Sequence, residues 1–493
     1  MRDKVFIIVV LALLVAFLAP QYHAWSQAQG VIPPGVTLAG HAINGSTLDQ
    51  VEEQLIALFM TPVAVYYQDR RLILWPQEIG FQVRTRVMVN EARRIGNVLY
   101  MTRAFLFYLL GRTPPPRDIP LIISWDPQRL DAWLTQVAER FDRPPQPPRA
   151  RTESFTWQPG AAGWVLDKEA SVPRIITALK QVGDRRVAKL VVREGPAPPP
   201  PLDELQRMLQ ARVDAFPGVA SVFVRHLETG EEVNINGSDV PYSGMSVMKI
   251  PILLAVYGEL DTLPTGELRS WMTETITSTT GAGNYTANRV LHFLGQGDPL
   301  RGARKVTQLL WDLGLKNSYI VAPYDWRGPH PEVVRTPANQ RPRFYTLPDP
   351  YIQATAEDMG VLMGMVVNCA RGRGTLLAAF PERFTPEECQ DLLKILALNP
   401  VTSALLPAGL PPGTRYVHKH GYASDTHGDV SAVWGPDGVY VISVFLSSPG
   451  EWLVWDLSNS TFIDLSRLTW EYFALRAAPA SPAATAPITP SSP

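Results

Sequence analysis

The chain has 493 residues, too many for one hydrophobic core and enough for roughly three domains. Apolar content is ordinary at 46%, and the formal net charge is −1 with acids and bases mixed along the chain. That balance gives no electrostatic case for nucleic acid or an anionic membrane surface, and the two cysteines, Cys369 and Cys389, form no Cys-x-x-Cys pair for zinc or redox work.

The chain opens with Arg2 and Lys4 before an apolar run, Val5 to Ala19, then polar sequence with small residues near Ser26 and Ala28. Residues 1–28 therefore read as a secretory signal or, left uncleaved, as an N-terminal membrane anchor. Either makes the protein extracytoplasmic, secreted or membrane-anchored, where Cys369 and Cys389 can pair or remain two buried thiols.

Two segments of similar texture follow. Residues 32–112 contain a helix pattern at Leu48–Leu58, strand-like Val63–Tyr67 and Leu72–Trp75, and a helix near Val87–Ile95. Apolar Phe105–Leu110 is too short to span a bilayer and reads as helix core. Residues 117–194 contain strand-like Ile119–Ser124, a helix over Asp126–Phe141, Gly163-Trp-Val-Leu-Asp167, a helix near Ala170–Leu179 and a closing strand, Ala188–Val192. Both segments read as small α+β units, the second a possible repeat of the first. Proline-rich Thr113–Pro116 and Pro144–Pro148 interrupt this region, and 195–201 is a stiff proline spacer.

After the spacer, residues 202–475 change character. Leu202–Phe216 is an amphipathic helix, Val219–His226 and Glu232–Ile235 read as a hairpin, and Tyr242-Ser-Gly-Met-Ser246-Val-Met-Lys249 opens an apolar helix. Ser246 and Lys249 lie one turn apart on one helix face. A serine hydroxyl needs a base to become a nucleophile, and burial lowers an amine toward that role. Val417-His-Lys419-His420-Gly421-Tyr422 then supplies a strand with a cation for a substrate carboxylate, a histidine that titrates near neutrality and can donate to the same carboxylate, and a glycine that admits an acyl group. The N–H groups of Ser246 and Tyr422 complete an oxyanion hole. Residues 476–493 are Ala, Pro, Ser and Thr without periodicity and read as disordered.

These motifs, with Leu227-Glu-Thr-Gly230, Ala354-Thr-Ala-Glu-Asp-Met-Gly-Val-Leu362 and Asp425-Thr-His-Gly-Asp429, resemble the class A β-lactamase and penicillin-binding transpeptidase superfamily. The region from about Pro33 to Val192, which opens with Ile32-Pro-Pro-Gly35 and Asn44-Gly-Ser-Thr47, resembles a peptidoglycan-binding module. The resemblance implies a multidomain protein. Small α+β units precede an α/β β-lactamase-like domain, an antiparallel sheet flanked by helices plus a helical subdomain. It implies a β-lactamase-like serine hydrolase acting through an acyl-enzyme on β-lactam or D-Ala-D-Ala-type substrates. The alternatives are a penicillin-binding DD-peptidase with slow deacylation, or a catalytically decayed wall-binding protein. The partners implied are a β-lactam or peptidoglycan stem peptide, and cell-wall glycan through the N-terminal units, with no nucleic acid, metal or cofactor.

Two departures stand out. Asn284 takes the place of the asparagine in the family's Ser-Asp-Asn motif, to hold the substrate amide and Lys249, but Ala282 falls where its serine belongs, leaving Ser278 or Thr280 as relay hydroxyls and Thr286 as a weaker substitute. The proline-rich loop Tyr319–Pro350 has one glutamate, Glu332, as candidate deacylating base, and lacks the family's Glu-x-x-x-Asn. Without such a base an acyl-enzyme persists.

Overall fold

The computed structural model describes residues 2–45, 47–278, 281–329 and 331–477; Thr280 and the tail from 478 on lie outside the described residues. The chain forms two compact units, one of Met1–Pro145 with Ala162–Pro196, the other of Gln146–Ala161 with Ala197–Pro493.

In the first unit, the Thr47 hydroxyl accepts from Gln50 N and starts the helix Leu48–Phe59, which buries Val51, Leu55 and Phe59 at four-residue spacing. Asp126 and Asp167 cap the helices Pro127–Phe141 and Lys168–Leu179 in the same way. Strands Val63–Tyr67 and Arg70–Leu74 pair antiparallel, and Val187–Lys189 joins the first of them in parallel. Stretches that the sequence separates at 112–117 thus share one sheet. They also share one core, which contains Leu55, Val65, Leu134 and Ile175. The helix Val98–Leu109 corrects the core reading of Phe105–Leu110: Phe105 is buried, but Leu106, Tyr108, Leu109 and Leu110 are exposed. One described helix is long and apolar enough to cross a membrane, over Val5–Gln27.

The second unit begins with α1 (Leu202–Asp214), β1 (Val219–His226) and β2 (Glu232–Ile235). Helices α2 (Lys249–Tyr257), α3 (Gly266–Thr277), α4 (Ala282–Leu294) and α5 (Pro299–Asp312) form a helical layer. Helices α6 (Ala356–Ala370) and α7 (Pro386–Leu396) follow, then β3 (Arg415–Tyr422), β4 (Thr426–Gly435), β5 (Gly438–Ser447) and α8 (Trp455–Ala477). The sheet is antiparallel in the order β2-β1-β5-β4-β3, so β3 is an edge strand. Alternation along β1 sends Val222 and Val224 to the α1/α8 face and Phe223 to the α2/α6 face. The family resemblance implied this architecture.

Residues 146–161 also belong here. They form a hairpin, Arg149–Arg151 with Thr156–Gln158. Ala150 N donates to Glu204, Arg467 donates to Phe155 O, and the Trp157 ring lies 5.9 Å from that of Tyr472. Cys369 at the end of α6 and Cys389 in α7 form a disulfide.

Candidate active site

Ser246 sits in a 3₁₀ turn, Met245–Met248, just before α2. Met245 has φ of 48°, a strained value for a side-chain-bearing residue. The Tyr324 hydroxyl donates to Met245 O at 2.8 Å and holds that turn. Ser246 is half-buried, while all nine residues of α2, Lys249 included, are buried. Burial pushes the Lys249 amine down to about 8, with the Asp325 carboxylate opposing the shift. A Cβ added at Gly283 would lie 3.1 Å from Lys249 Nζ and 3.4 Å from Ser278 Cβ, so α4 and Ser278 pack around the amine.

Strand β3 closes on Ser246 from the other side. A Cβ at Gly421 would lie 2.8 Å from Ser246 N and 2.8 Å from Met245 Cβ, a contact only glycine permits. Ala423 N donates to Thr426 O, so the antiparallel alternation turns the Tyr422 N–H off the free edge of β3. Lys419 is buried, and its ammonium donates to His420 O at 2.9 Å. Burial, and then the neighbouring Lys249 charge, push its amine down to about 7. The two lysines therefore feel one another across the site.

His420 departs from the sequence expectation. It does not titrate near neutrality: burial, and then the Lys419 charge, push it down to about 3. Its proton can also be placed. Asn399 Oδ1 accepts from Val401 N at 3.2 Å, and its Nδ2 donates to His418 O at 3.1 Å, which fixes the amide orientation. The same Nδ2 lies 3.3 Å from His420 Nδ1. Nδ1 is therefore the acceptor, and the neutral ring carries its proton on Nε2.

Not every predicted residue joins this group. Asn284 donates to Asp325 Oδ2 at 3.2 Å, and no bond from it to Lys249 is present among the described residues. Asn288 makes a reciprocal pair with Tyr324, donating to its O at 2.8 Å and accepting from its N at 2.9 Å. Thr286 is committed elsewhere, accepting from Thr275 and donating to Ala282 O. Glu332 is exposed, with no hydrogen bond or ion pair among the described residues; the carboxylate beside Lys249 is Asp325. The sequence reading missed Asp325, Tyr324 and Asn399. The one available signal was the Asn288 spacing, whose partner in a proline-rich loop no periodicity could reveal. His427 is buried, bonded to Ser458 at 2.7 Å, and its ring clusters with those of Tyr422 and Trp455. Beneath β3, His418 Nδ1 pairs with buried Asp429 at 2.9 Å. Among the described residues no group of three or more His, Cys, Asp or Glu could hold a metal ion.

A family model described as "Beta-lactamase enzyme family" matches residues 204–279 and 273–473, more than half of the chain. The chain belongs to the beta-lactamase enzyme family. A second model, described as "Putative peptidoglycan binding domain", matches residues 76–188. Solved structures similar to this family member include PBP-A, at 22% identity over 57% of this chain and 99% of that one, with a TM-score of 0.41. An ancestral Gram-negative class A β-lactamase matches at 19% identity over 54% and 99%, with a TM-score of 0.41. A β-lactamase from Sphaerobacter thermophilus matches at 19% over 55% and 97%, with a TM-score of 0.40. No curated protein matches the chain. The chain is thus a β-lactamase-like serine hydrolase by family, joined to a peptidoglycan-binding domain.

Proposed function

We propose that Ser246 is the nucleophile of an acyl-transfer site that opens β-lactams or D-Ala-D-Ala-type peptides. Ser246 Oγ attacks the carbonyl carbon and passes its proton to neutral Lys249 Nζ. The carbonyl oxygen then lies between the N–H groups of Ser246 and Tyr422, each such donor supplying about 3 kcal/mol in the transition state. The C–N bond breaks, the nitrogen leaves with a proton returned from Lys249 through the Ser278 hydroxyl, and an ester remains on Ser246. Thr280 is the alternative relay. Lys419 and the His420 Nε2–H bind the substrate carboxylate, and Asn284 orients the substrate amide. The observation that carries this reading is the close packing of Gly421 on Ser246 N, which puts the edge strand against the nucleophile.

Release of the acyl group is slow in this reading. Tyr324, bonded through its hydroxyl to Met245 O, is no base, and Glu332 faces solvent. That favours a penicillin-binding, peptidase-like turnover over a fast β-lactamase. The N-terminal helix anchors the protein outside the cytoplasm, and the peptidoglycan-binding domain holds the site at the wall glycan.

A fluorescent penicillin tests the reading on the purified full chain. Covalent label is expected on wild type, absent in Ser246→Ala, and shed over many minutes. An unlabelled wild type would overturn the enzyme reading; prompt shedding would replace slow release with true β-lactamase turnover.

A further inference from the structure

The helix Val98–Leu109 spends its apolar surface in an unusual way. Val98 and Leu99 are 80% and 81% exposed, and Leu106, Leu109 and Leu110 are also open. Leu99, Leu106 and Leu110 recur at helical spacing, so the exposed side chains form a stripe rather than scattered surface residues. The inner side of the helix buries Ala104 and Phe105. From Ile95 to Arg117 the sequence has no Asp or Glu but has Arg103, Arg112 and Arg117. The chain's near-zero net charge conceals this local basic, apolar stretch.

The surroundings of the helix indicate what covers the stripe. Tyr22 and Trp25, at the C-terminal end of the candidate span Val5–Gln27, meet the Phe105 ring edge-on at 5.3 Å and tilted at 5.4 Å. Trp25 also lies 5.8 Å from Tyr108. Amphipathic Trp and Tyr side chains collect where a spanning helix leaves the hydrocarbon. An apolar helix fixed at that level, free of acids and flanked by arginines, has the character of an interfacial helix on anionic lipid.

We propose that the outer face of Val98–Leu109 lies in the membrane interface beside the N-terminal span, with anionic phospholipid as its partner. This rests on the anchored reading of the N-terminal helix given above. Val98, Leu99, Leu106 and Leu110 enter the acyl-chain boundary, and Arg103 and Arg112 reach the lipid phosphates. The first unit then has a second attachment, which limits its rotation about the span.

Both cysteines are tied in the disulfide, so a single introduced cysteine takes a spin label uniquely. The full chain carrying Leu99→Cys, Leu110→Cys or, as control, Asp184→Cys in an exposed turn is reconstituted into phosphatidylglycerol-containing vesicles. At 99 and 110 the label should meet dissolved oxygen more readily than a water-soluble nickel complex, with the preference reversed at 184. Nickel preference at 99 and 110 in vesicle-bound protein overturns this proposal and leaves the anchor reading intact. Protein that stays in the aqueous phase overturns both. Spin–spin broadening at 99 would assign the face to a second copy of the chain and also overturn the proposal.

Discussion

Two buried amines define the site at the level of single residues. In the proposed mechanism Lys249 must be neutral to accept a proton, and Lys419 must be charged to hold a carboxylate. Burial weakens the ammonium form of both, and Lys419 also loses charge because Lys249 is near. The neutral fraction of Lys249 rises as pH rises through about 8, while the charged fraction of Lys419 falls as pH rises through about 7, so labelling by penicillin should follow a bell with its maximum between those values. Asp325 holds the amine's value up, so Asp325→Asn should move this acid limb to lower pH. A limb that does not move, followed as labelling rate against pH, would show that Lys249 does not sense Asp325. His420 makes a different contribution. It is neutral throughout the range where histidines usually titrate, so its donor is constant. Asn399→Asp keeps the shape and the acceptor for Val401 N, but offers His420 Nδ1 an acceptor, which moves the ring proton away from Nε2. Where the ring is neutral, acylation by a carboxylate-bearing β-lactam should fall about tenfold relative to its methyl ester, the loss expected for one hydrogen bond to a charged group. An unchanged ratio would remove His420 from carboxylate recognition.

The spacing of Ser246 and Lys249 made them visible in the sequence, and Lys419 and Gly421 were visible because a lysine and glycine on a strand form a recognisable pattern. Asp325, Tyr324 and Asn399 were not, since tertiary contacts alone bring those loop residues to the site. The neutrality of His420 was also hidden, because it depends on burial and on Lys419 rather than on residue type.

Elements were legible wherever a local signal marks an end. Thr47, Asp126 and Asp167 announce their helices by capping, and the alternation of β1 shows in its sequence. The helix expected at Ser246 instead begins with a 3₁₀ turn, whose first residue, Met245, has a left-handed backbone. The pairing of Cys369 with Cys389 was left open by the sequence, and the packing of α6 on α7 decides it. The disulfide encloses a loop with a sequence separation of 20 residues. Closing a loop of that order stabilises the native state by about 3 kcal/mol, so Cys369→Ala/Cys389→Ala should unfold at lower urea concentration than wild type, and added reductant should not lower the variant further. Equal urea midpoints would mean that α7 is held without the bond, in part by Asp391, which accepts from Tyr257 of α2 at 2.7 Å.

At the scale of the whole molecule, the hydrolase unit is not one continuous stretch. The family match begins at residue 204, yet the hairpin at 149–158 packs on α1 and α8. Sequence texture could not show this, because Pro144–Pro148 looks like an ordinary loop inside the preceding segment. Half-buried Trp157 against Tyr472 contributes roughly 2 kcal/mol by area, so Trp157→Ala should lower the stability of the second unit although it lies outside the matched residues. The check is the melting of penicillin-labelling capacity in the full chain; an unshifted curve would mean the hairpin is dispensable.

This threading makes the protein hard to take apart. The ribosome delivers Phe155 and Trp157 long before Arg467 and Tyr472, so any transcript ending short of α8 leaves the Phe155 carbonyl without its donor and the Trp157 ring without its partner. Neither unit is a cassette that recombination could lift out in one piece, and the pair is inherited together or broken together.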